Sequence, residues 1–109
     1  IKDASGRTTT FAYGTNGYVS SVTDPASRIT RFEYDATGNM TKVTNAENKI
    51  TTYAYDGTHN LTIITDARNI ATNIGYDTSD RVTSISRPIT IDGVQQTSTT
   101  TYSYDTYNL

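Results

Sequence analysis

Apolar and polar side chains alternate along most of this chain. Before each of five tyrosines, an aromatic residue or Ile lies two positions earlier and a Thr lies four positions earlier. Side chains spaced by two share one face of a β-strand, and no helical period competes with this pattern. The alternation therefore predicts strands whose aromatic face carries Phe11, Phe32, Tyr34, Tyr53, Tyr55, Ile74, Tyr76 and Tyr102.

The aromatic pattern is a repeat. Its anchor is a tyrosine that recurs in three steps of 21 residues and then one of 28, at Tyr13, Tyr34, Tyr55, Tyr76 and Tyr104. Fixed periods of about 20 to 50 residues are typical of repeat architectures. A second strand is predicted after each of the first four anchors, at Val19–Thr23, Met40–Thr44, Leu61–Thr65 and 82–86. We expect an all-β, antiparallel meander of about nine strands, two in each repeat, with no helix longer than one turn.

The repeats fill the whole chain. Residues 1–109 are interpreted as a single array of about four and a half repeats. Because the first residue is Ile1 and the repeat is already under way there, we expect the chain to be a fragment of a longer protein.

Each anchor tyrosine is followed by a predicted turn. An Asp carboxylate can accept hydrogen bonds from backbone amides two residues on, and an Asp comes directly after four of the anchors, at Asp35, Asp56, Asp77 and Asp105. Four residues after the anchor lies Gly17, Gly38, His59 or Asp80, and these residue types tolerate positive φ. We therefore interpret His59, the one histidine, as a turn residue that Gly can replace rather than a proton carrier or metal ligand.

The second strand of each repeat contains an irregularity. Two apolar positions lie three residues apart, as in Val19 with Val22 and Met40 with Val43. Strict alternation cannot place both side chains on one face. Two explanations remain open: the first position still belongs to the turn, or a β-bulge re-aims it.

The 28-residue step predicts a longer hairpin. Asp92-Gly93 lies between two alternating runs, and Asp-Gly is a strong signal for a two-residue hairpin turn. The fourth repeat is therefore expected to extend both strands to a tip at Asp92-Gly93. Pro88 must then lie at a strand start or on a side of its strand without a ladder hydrogen bond.

Composition agrees with an all-β chain. There are 23 Thr and 9 Tyr, which favour a pleated, half-buried surface, while helix-forming residues are few. The absence of Cys excludes disulfides and thiolate chemistry. A net charge of -2 and a pI near 5.1 provide no basic surface, so we expect no nucleic-acid partner. No apolar run approaches the length of a membrane span, about 18 residues.

Residues 34–45, "YDATGNMTKVTN", carry a family resemblance. The order Tyr-Asp-x-x-Gly-Asn, an apolar residue, Thr and a Val-Thr-Asp-like end, repeated every 21 residues, resembles the tyrosine–aspartate (YD) repeat of Rhs proteins. The resemblance implies a segment of a long β-sheet that spirals into a hollow shell, as in bacterial toxin complexes, Rhs toxins, wall-associated proteins and teneurins. It further implies a secreted or cell-surface location and a non-enzymatic role in enclosing or displaying a toxin or effector. No functional residue of the family can be carried over.

The sequence forms no recognisable catalytic or cofactor site. The repeated Asp residues lack the spacing of a calcium loop, and carboxylates 21 residues apart would be spread along the sheet rather than paired as in a glycosidase. No Ser-His-Asp set can be assigned. We therefore expect no enzyme, no metal and no cofactor. Two glycosylation sequons, at Asn39 and Asn60, follow from the repeat itself.

Two functions remain open. In the first, the chain is a structural segment of a shell that encloses or displays another polypeptide. Its partners are then neighbouring repeats or a second copy of the chain, together with the enclosed polypeptide. In the second, it is an adhesin whose tyrosine rows stack on the sugar rings of a surface glycan or cell wall; these rows are Tyr34, Tyr53, Tyr55 and Tyr76. The alternative role of the rows is cross-strand packing. Burial discriminates between the two roles, because a stacking platform must be open to solvent.

Overall fold

The computed structural model describes residues 1–105 and contains nine β-strands and no helix within them. The strands are β1 (Thr10–Tyr13), β2 (Val19–Thr23), β3 (Ile29–Tyr34), β4 (Met40–Thr44), β5 (Ile50–Tyr55), β6 (Leu61–Thr65), β7 (Ala71–Tyr76), β8 (Val82–Ile91) and β9 (Val94–Thr101). They are ordered as in the chain, β1 to β9, which confirms the predicted all-β antiparallel meander. The final four residues of the predicted array, 106–109, lie outside the described residues.

The chain divides into two compact units, residues 1–52 and residues from 53 onward. In the first unit, Val43 of β4 lies opposite Phe32 of β3 on one side and Thr51 of β5 on the other. In the second unit, Ile74 of β7 lies opposite Ile85 of β8. Residues that are directly opposite in an antiparallel pair share a face, so each unit has the aromatic and apolar face that the alternation predicts.

A β-bulge explains the apolar positions three residues apart. Tyr34 lies opposite Met40 and Glu33 lies opposite Lys42, so that Thr41 has no partner in β3. The same shift occurs between β1 and β2 and between β7 and β8. The extra residue brings Met40 and Val43 to the same face. The bulge explanation is therefore confirmed, and the alternative that Met40 belongs to the turn is wrong, because β4 begins at this residue.

The long hairpin forms where Asp92-Gly93 predicts it. Strands β8 and β9 remain paired up to Ile91 and Val94, and Asp92 and Gly93 both have positive φ, at 51° and 77°. Positive φ at both central residues is the requirement of a type I′ turn. Pro88 lies within β8 opposite Thr97, three residues from the closing Ile91–Val94 pair. Because hydrogen-bonded and non-hydrogen-bonded pairs alternate, Pro88 occupies a position that does not donate to β9.

Within each unit the strands form a single layer. No residue from 1 to 105 is fully buried. Along β3 and β5 the aromatic positions are half-buried and the alternate positions are exposed, as with Phe32 and Tyr34 against Arg31 and Glu33. The half-buried face is therefore covered mainly by its own cross-strand neighbours.

Candidate functional site

The turns after Tyr34, Tyr55 and Tyr76 are each closed by an Asp side chain. In the turn at 35–39, Oδ1 of Asp35 accepts hydrogen bonds from the backbone amides of Thr37 and Asn39, both at 2.9 Å. The backbone closes the same turn, since Asp35 N donates to Asn39 O at 2.9 Å and Gly38 N donates to Asp35 O at 3.2 Å. The carboxylate thus satisfies the amides that the hairpin ladder leaves unpaired.

The predicted position of positive φ is found in all four turns. Gly17 and Gly38 have φ of 84° and 90°, and His59 and Asp80 have φ of 68° and 61°. His59 donates its backbone N–H to Asp56 O at 3.3 Å, as Gly38 does to Asp35. These values agree with the interpretation of His59 as a turn residue. The turn predicted to follow Asp105 lies in part outside the described residues.

At the opposite ends of the strands, where the pattern also predicts a turn after each second strand, the turns have the same design; their side-chain hydrogen bonds and positive φ were not predicted. Asp24, Asn45 and Asp66 each accept hydrogen bonds at Oδ1 from the amides two and four residues on. The residue three positions later has positive φ in each case, at Ser27, Asn48 and Asn69. The available signal was an Asp or Asn about midway between successive anchors, followed three residues later by Ser or Asn. One turn design therefore serves both ends of the strands.

The first anchor turn contains Gly14 where the other repeats have Asp. Here Asn16 supplies the side-chain acceptor, since its Oδ1 accepts from Tyr18 N at 3.0 Å. The backbone bonds from Gly14 N to Tyr18 O and from Gly17 N to Gly14 O are the same as in the other turns. The missing carboxylate therefore leaves the backbone of the turn unchanged.

Both sequon asparagines hold turn residues through the amide nitrogen that glycosylation would modify. Nδ2 of Asn39 donates to Asp35 Oδ2 at 3.1 Å. Nδ2 of Asn60 donates to Asp80 Oδ1 at 2.7 Å, which joins two successive turns. These side chains have a structural role within the repeat.

Three anchor tyrosines link one repeat to the repeat before it. Tyr34 Oη donates to Val19 O at 2.9 Å, and Tyr76 Oη donates to Leu61 O at 2.6 Å. Tyr104 Oη donates to Val82 O at 2.6 Å across the long hairpin. Each acceptor is the first residue of the preceding second strand, beside the bulge position. We call these hydrogen bonds the tyrosine staples.

Ring contacts reinforce two of the staples. The rings of Tyr18 and Tyr34 lie 5.0 Å apart between centroids and are tilted by 34°. The Arg81 guanidinium lies 4.6 Å from the centroid of the Tyr104 ring, within the range of a cation–π contact. Tyr34 and Tyr76 are half-buried with engaged hydroxyls, which favours packing over sugar stacking for these two rings.

Two open clefts lie beside the turns. A cleft of about 290 Å³ lies between the turns that begin at Asp24 and Asn45, and its charged lining residues are Asp24, Arg28 and Glu47. A second cleft, of about 340 Å³, lies between the turn that contains Arg68 and the long hairpin. Residues 1–105 contain no group of three His, Cys, Asp or Glu side chains placed to hold a metal. Within the same range, no helix is long and apolar enough to cross a membrane.

The turn carboxylates are stabilised in their charged form. The pKa of Asp35 is lowered from 3.8 to about 2, first by the backbone amide of Asn39 and next by the hydroxyl of Thr37. The pKa values of four further turn carboxylates are lowered, and in each case the backbone amide four residues on is the largest cause; they are Asp24, Asp56, Asp66 and Asp77. Protonation of these groups therefore weakens the turns.

We expect the free energy of unfolding to fall in acid. The folded pKa of each group lies below the unfolded value of 3.8, so its contribution is complete above that value and is lost as the pH falls through the folded pKa. Urea unfolding should give a constant midpoint from neutral pH to about pH 5 and a falling midpoint from about pH 4 to pH 2. Asp35→Asn is the matched control, because Asn45 closes an equivalent turn without a charge; it should reduce the decline. An unchanged midpoint at pH 3 would contradict the expectation.

The repeated turns and the tyrosine staples define a β-sheet repeat protein, in which the repeats anchored by Tyr34, Tyr76 and Tyr104 are bonded to the repeat before. The family model for the RHS repeat matches residues 16–50 and 34–71, which together span just over half of the 109-residue chain. The chain belongs to the RHS repeat family, as the resemblance indicated. Among curated proteins, none matches the chain.

Proposed function

We propose that this chain is a non-enzymatic wall segment of a secreted or cell-surface Rhs-type protein, which encloses or displays another polypeptide such as a toxin or effector. The observation that carries the proposal is the tyrosine staple, which joins successive repeats at Tyr34, Tyr76 and Tyr104. Because a staple bonds a repeat to the one before it, the sheet can be lengthened by adding one repeat at a time. Membership of the RHS repeat family supports the structural role.

The two faces differ in a way that suits a wall. One face carries the half-buried aromatic positions, while the other carries polar pairs such as Glu33 with Lys42, whose charged atoms lie 2.9 Å apart. A single layer presents one face to each side. Neighbouring repeats, or a second copy of the chain, would pair with the free edges and help to cover the aromatic face.

Cysteine labelling tests the wall directly, because the chain has no Cys. Thr100 and Thr101 are adjacent and exposed in β9 but lie opposite residues of different faces, Ile85 and Ser84. In the full-length protein we expect a bulky polyethylene-glycol maleimide to modify only one of Thr100→Cys and Thr101→Cys until the protein is unfolded. The parent protein measures background labelling. Equal labelling of both variants before unfolding would contradict a closed wall.

The alternative is a glycan-binding or cell-wall adhesin. It is favoured by the tyrosines that remain open to solvent, since Tyr13 is 65% exposed and Tyr18 is 44% exposed. Equal labelling of the two faces together with sedimentation on purified cell walls would support this function. Loss of that sedimentation in Tyr13→Ala would assign the contact to the aromatic ring.

A further inference from the structure

Two tyrosine rings meet at the boundary between the first and second repeats. Tyr18 ends the first anchor turn, where its carbonyl accepts from Gly14 N, and Tyr34 is the second anchor. Their ring centroids lie 5.0 Å apart and the rings are tilted by 34°. Paired aromatic rings have centroids about 4.5 to 7 Å apart, so these two rings are in direct contact. We call them the tyrosine pair.

Both members of the tyrosine pair are held in place. Tyr34 Oη donates to Val19 O at 2.9 Å. The hydroxyl end of the Tyr18 ring lies over Gly38, because a Cβ at Gly38 would be 2.7 Å from Tyr18 Oη and 3.5 Å from Cε2, a ring carbon next to the one that carries the hydroxyl. The missing side chain of Gly38 therefore lets the Tyr18 ring reach the second repeat and lie against Tyr34.

A residue at the position of Tyr18 also packs on the next anchor ring in the fourth repeat. This position lies five residues after an anchor, and the corresponding residues of the later repeats are Asn39, Asn60 and Arg81. The Arg81 guanidinium lies 4.6 Å from the centroid of the ring of Tyr104, which is the next anchor. The fold thus places this residue against the following anchor in both repeats. In the first repeat the residue is a tyrosine, so that two phenols come together instead of a cation and a phenol.

We propose that the tyrosine pair is a site of oxidative cross-linking, at which a haem peroxidase and hydrogen peroxide join Tyr18 and Tyr34 as a dityrosine. Tyr18 is 44% exposed, which lets a one-electron oxidant reach it. Tyr34 is half-buried, but its ring contacts that of Tyr18. Because the two rings are already in contact and held in place, little reorientation is needed before they couple.

The reaction removes one electron and the hydroxyl proton from each phenol. The two rings then form a carbon–carbon bond between positions next to their hydroxyl-bearing carbons, and the hydrogen on each of these positions moves as a proton to the phenol oxygen. Hydrogen peroxide takes up the two electrons and the two protons and leaves as two molecules of water. Both tyrosines regain their hydroxyls, so Tyr34 keeps the donor of its staple.

A dityrosine at this position links successive repeats covalently in a chain without Cys. It closes a loop from residue 18 to residue 34, and a covalently closed loop stabilises a fold mainly by restricting the unfolded chain. Unlike the turn carboxylates, a carbon–carbon bond does not weaken in acid. The inference concerns the boundary between two repeats, so it is independent of whether the chain is a wall segment or an adhesin.

Peptide mapping tests the proposal on the full-length protein after treatment with a haem peroxidase and hydrogen peroxide. Trypsin should release peptide 8–28 joined to peptide 32–42, and fragmentation should place the link between Tyr18 and Tyr34. Tyr13 is the internal control, because it lies in the same peptide and is 65% exposed but has no ring contact within residues 1–105. Tyr18→Phe keeps the ring but removes the phenol, so the joined peptide should be lost.

Arg81→Tyr provides the opposite test, since it places a phenol against the ring of Tyr104. We expect peroxidase treatment of this variant to form a second dityrosine that the parent protein lacks. A link at Tyr13 in place of Tyr18, or an equal amount of joined peptide in Tyr18→Phe, would overturn the proposal. A treated parent protein without the link between Tyr18 and Tyr34, or with links only between separate molecules, would overturn it as well.

Discussion

Replacing Tyr76 with Ala should lower the free energy of unfolding by about 3 kcal/mol, and replacing it with Phe should lower it by about 1 kcal/mol. The Phe variant removes only the hydroxyl that donates to Leu61 O at 2.6 Å. The Ala variant also removes a half-buried ring from the aromatic face of β7. Urea unfolding of the chain, followed by far-UV circular dichroism, measures both values.

Tyr13 is the matched control for this series. It is also an anchor tyrosine, but it is 65% exposed. Because little of its ring is removed from water, Tyr13→Ala and Tyr13→Phe should each change the free energy of unfolding by less than about 0.5 kcal/mol. Equal losses at Tyr13 and Tyr76 would show that the staple contributes little and that strand propensity dominates.

Gly38→Ala should lower the free energy of unfolding by about 2 to 3 kcal/mol, more than the ~1 kcal/mol expected for Gly17→Ala. Both glycines have positive φ, so both variants carry the same backbone penalty. They differ in their surroundings. A Cβ at Gly38 would lie 2.7 Å from Oη of Tyr18, whereas a Cβ at Gly17 would meet nothing within 4 Å.

The clash at Gly38 acts on the ring pair of Tyr18 and Tyr34, whose centroids are 5.0 Å apart. Near-UV circular dichroism should therefore change in Gly38→Ala and stay constant in Gly17→Ala. Equal unfolding free energies for the two variants would mean that the end of the Tyr18 side chain moves aside without cost. Tyr18→Phe should then make no difference to the effect of Gly38→Ala.

The strands were predictable because their signals are local. Alternation fixes which face a side chain occupies, so the bounds of β2, β4 and β6 agree with the prediction. The tip at Asp92-Gly93 was predictable for the same reason, since a type I′ turn requires residues that accept positive φ. The positions of positive φ at Gly17 and His59 also follow from residue type and spacing.

The tyrosine staples could not be predicted, because their acceptors are backbone carbonyls. Every residue except the last offers a carbonyl, so the sequence does not indicate that Tyr34 reaches Val19. The bulge remained one of two possibilities for a similar reason: only the pairing of Glu33 with Lys42 shows which residue is left over. The cleft between the long hairpin and the turn that contains Arg68 depends on strand register rather than on residue type.

The backward reach of the staples has a consequence for the order of folding. Strands are hydrogen-bonded in chain order, and the staples of Tyr34 and Tyr104 span 15 and 22 residues. A chain that leaves the ribosome or a secretion pore N-terminus first can therefore complete each hairpin without waiting for a distant partner. When the next anchor tyrosine emerges, its hydroxyl can donate a hydrogen bond to the hairpin that has already formed. Folding then proceeds in the direction of synthesis, and at the growing end of the sheet only the edge of the newest strand is exposed to misassembly.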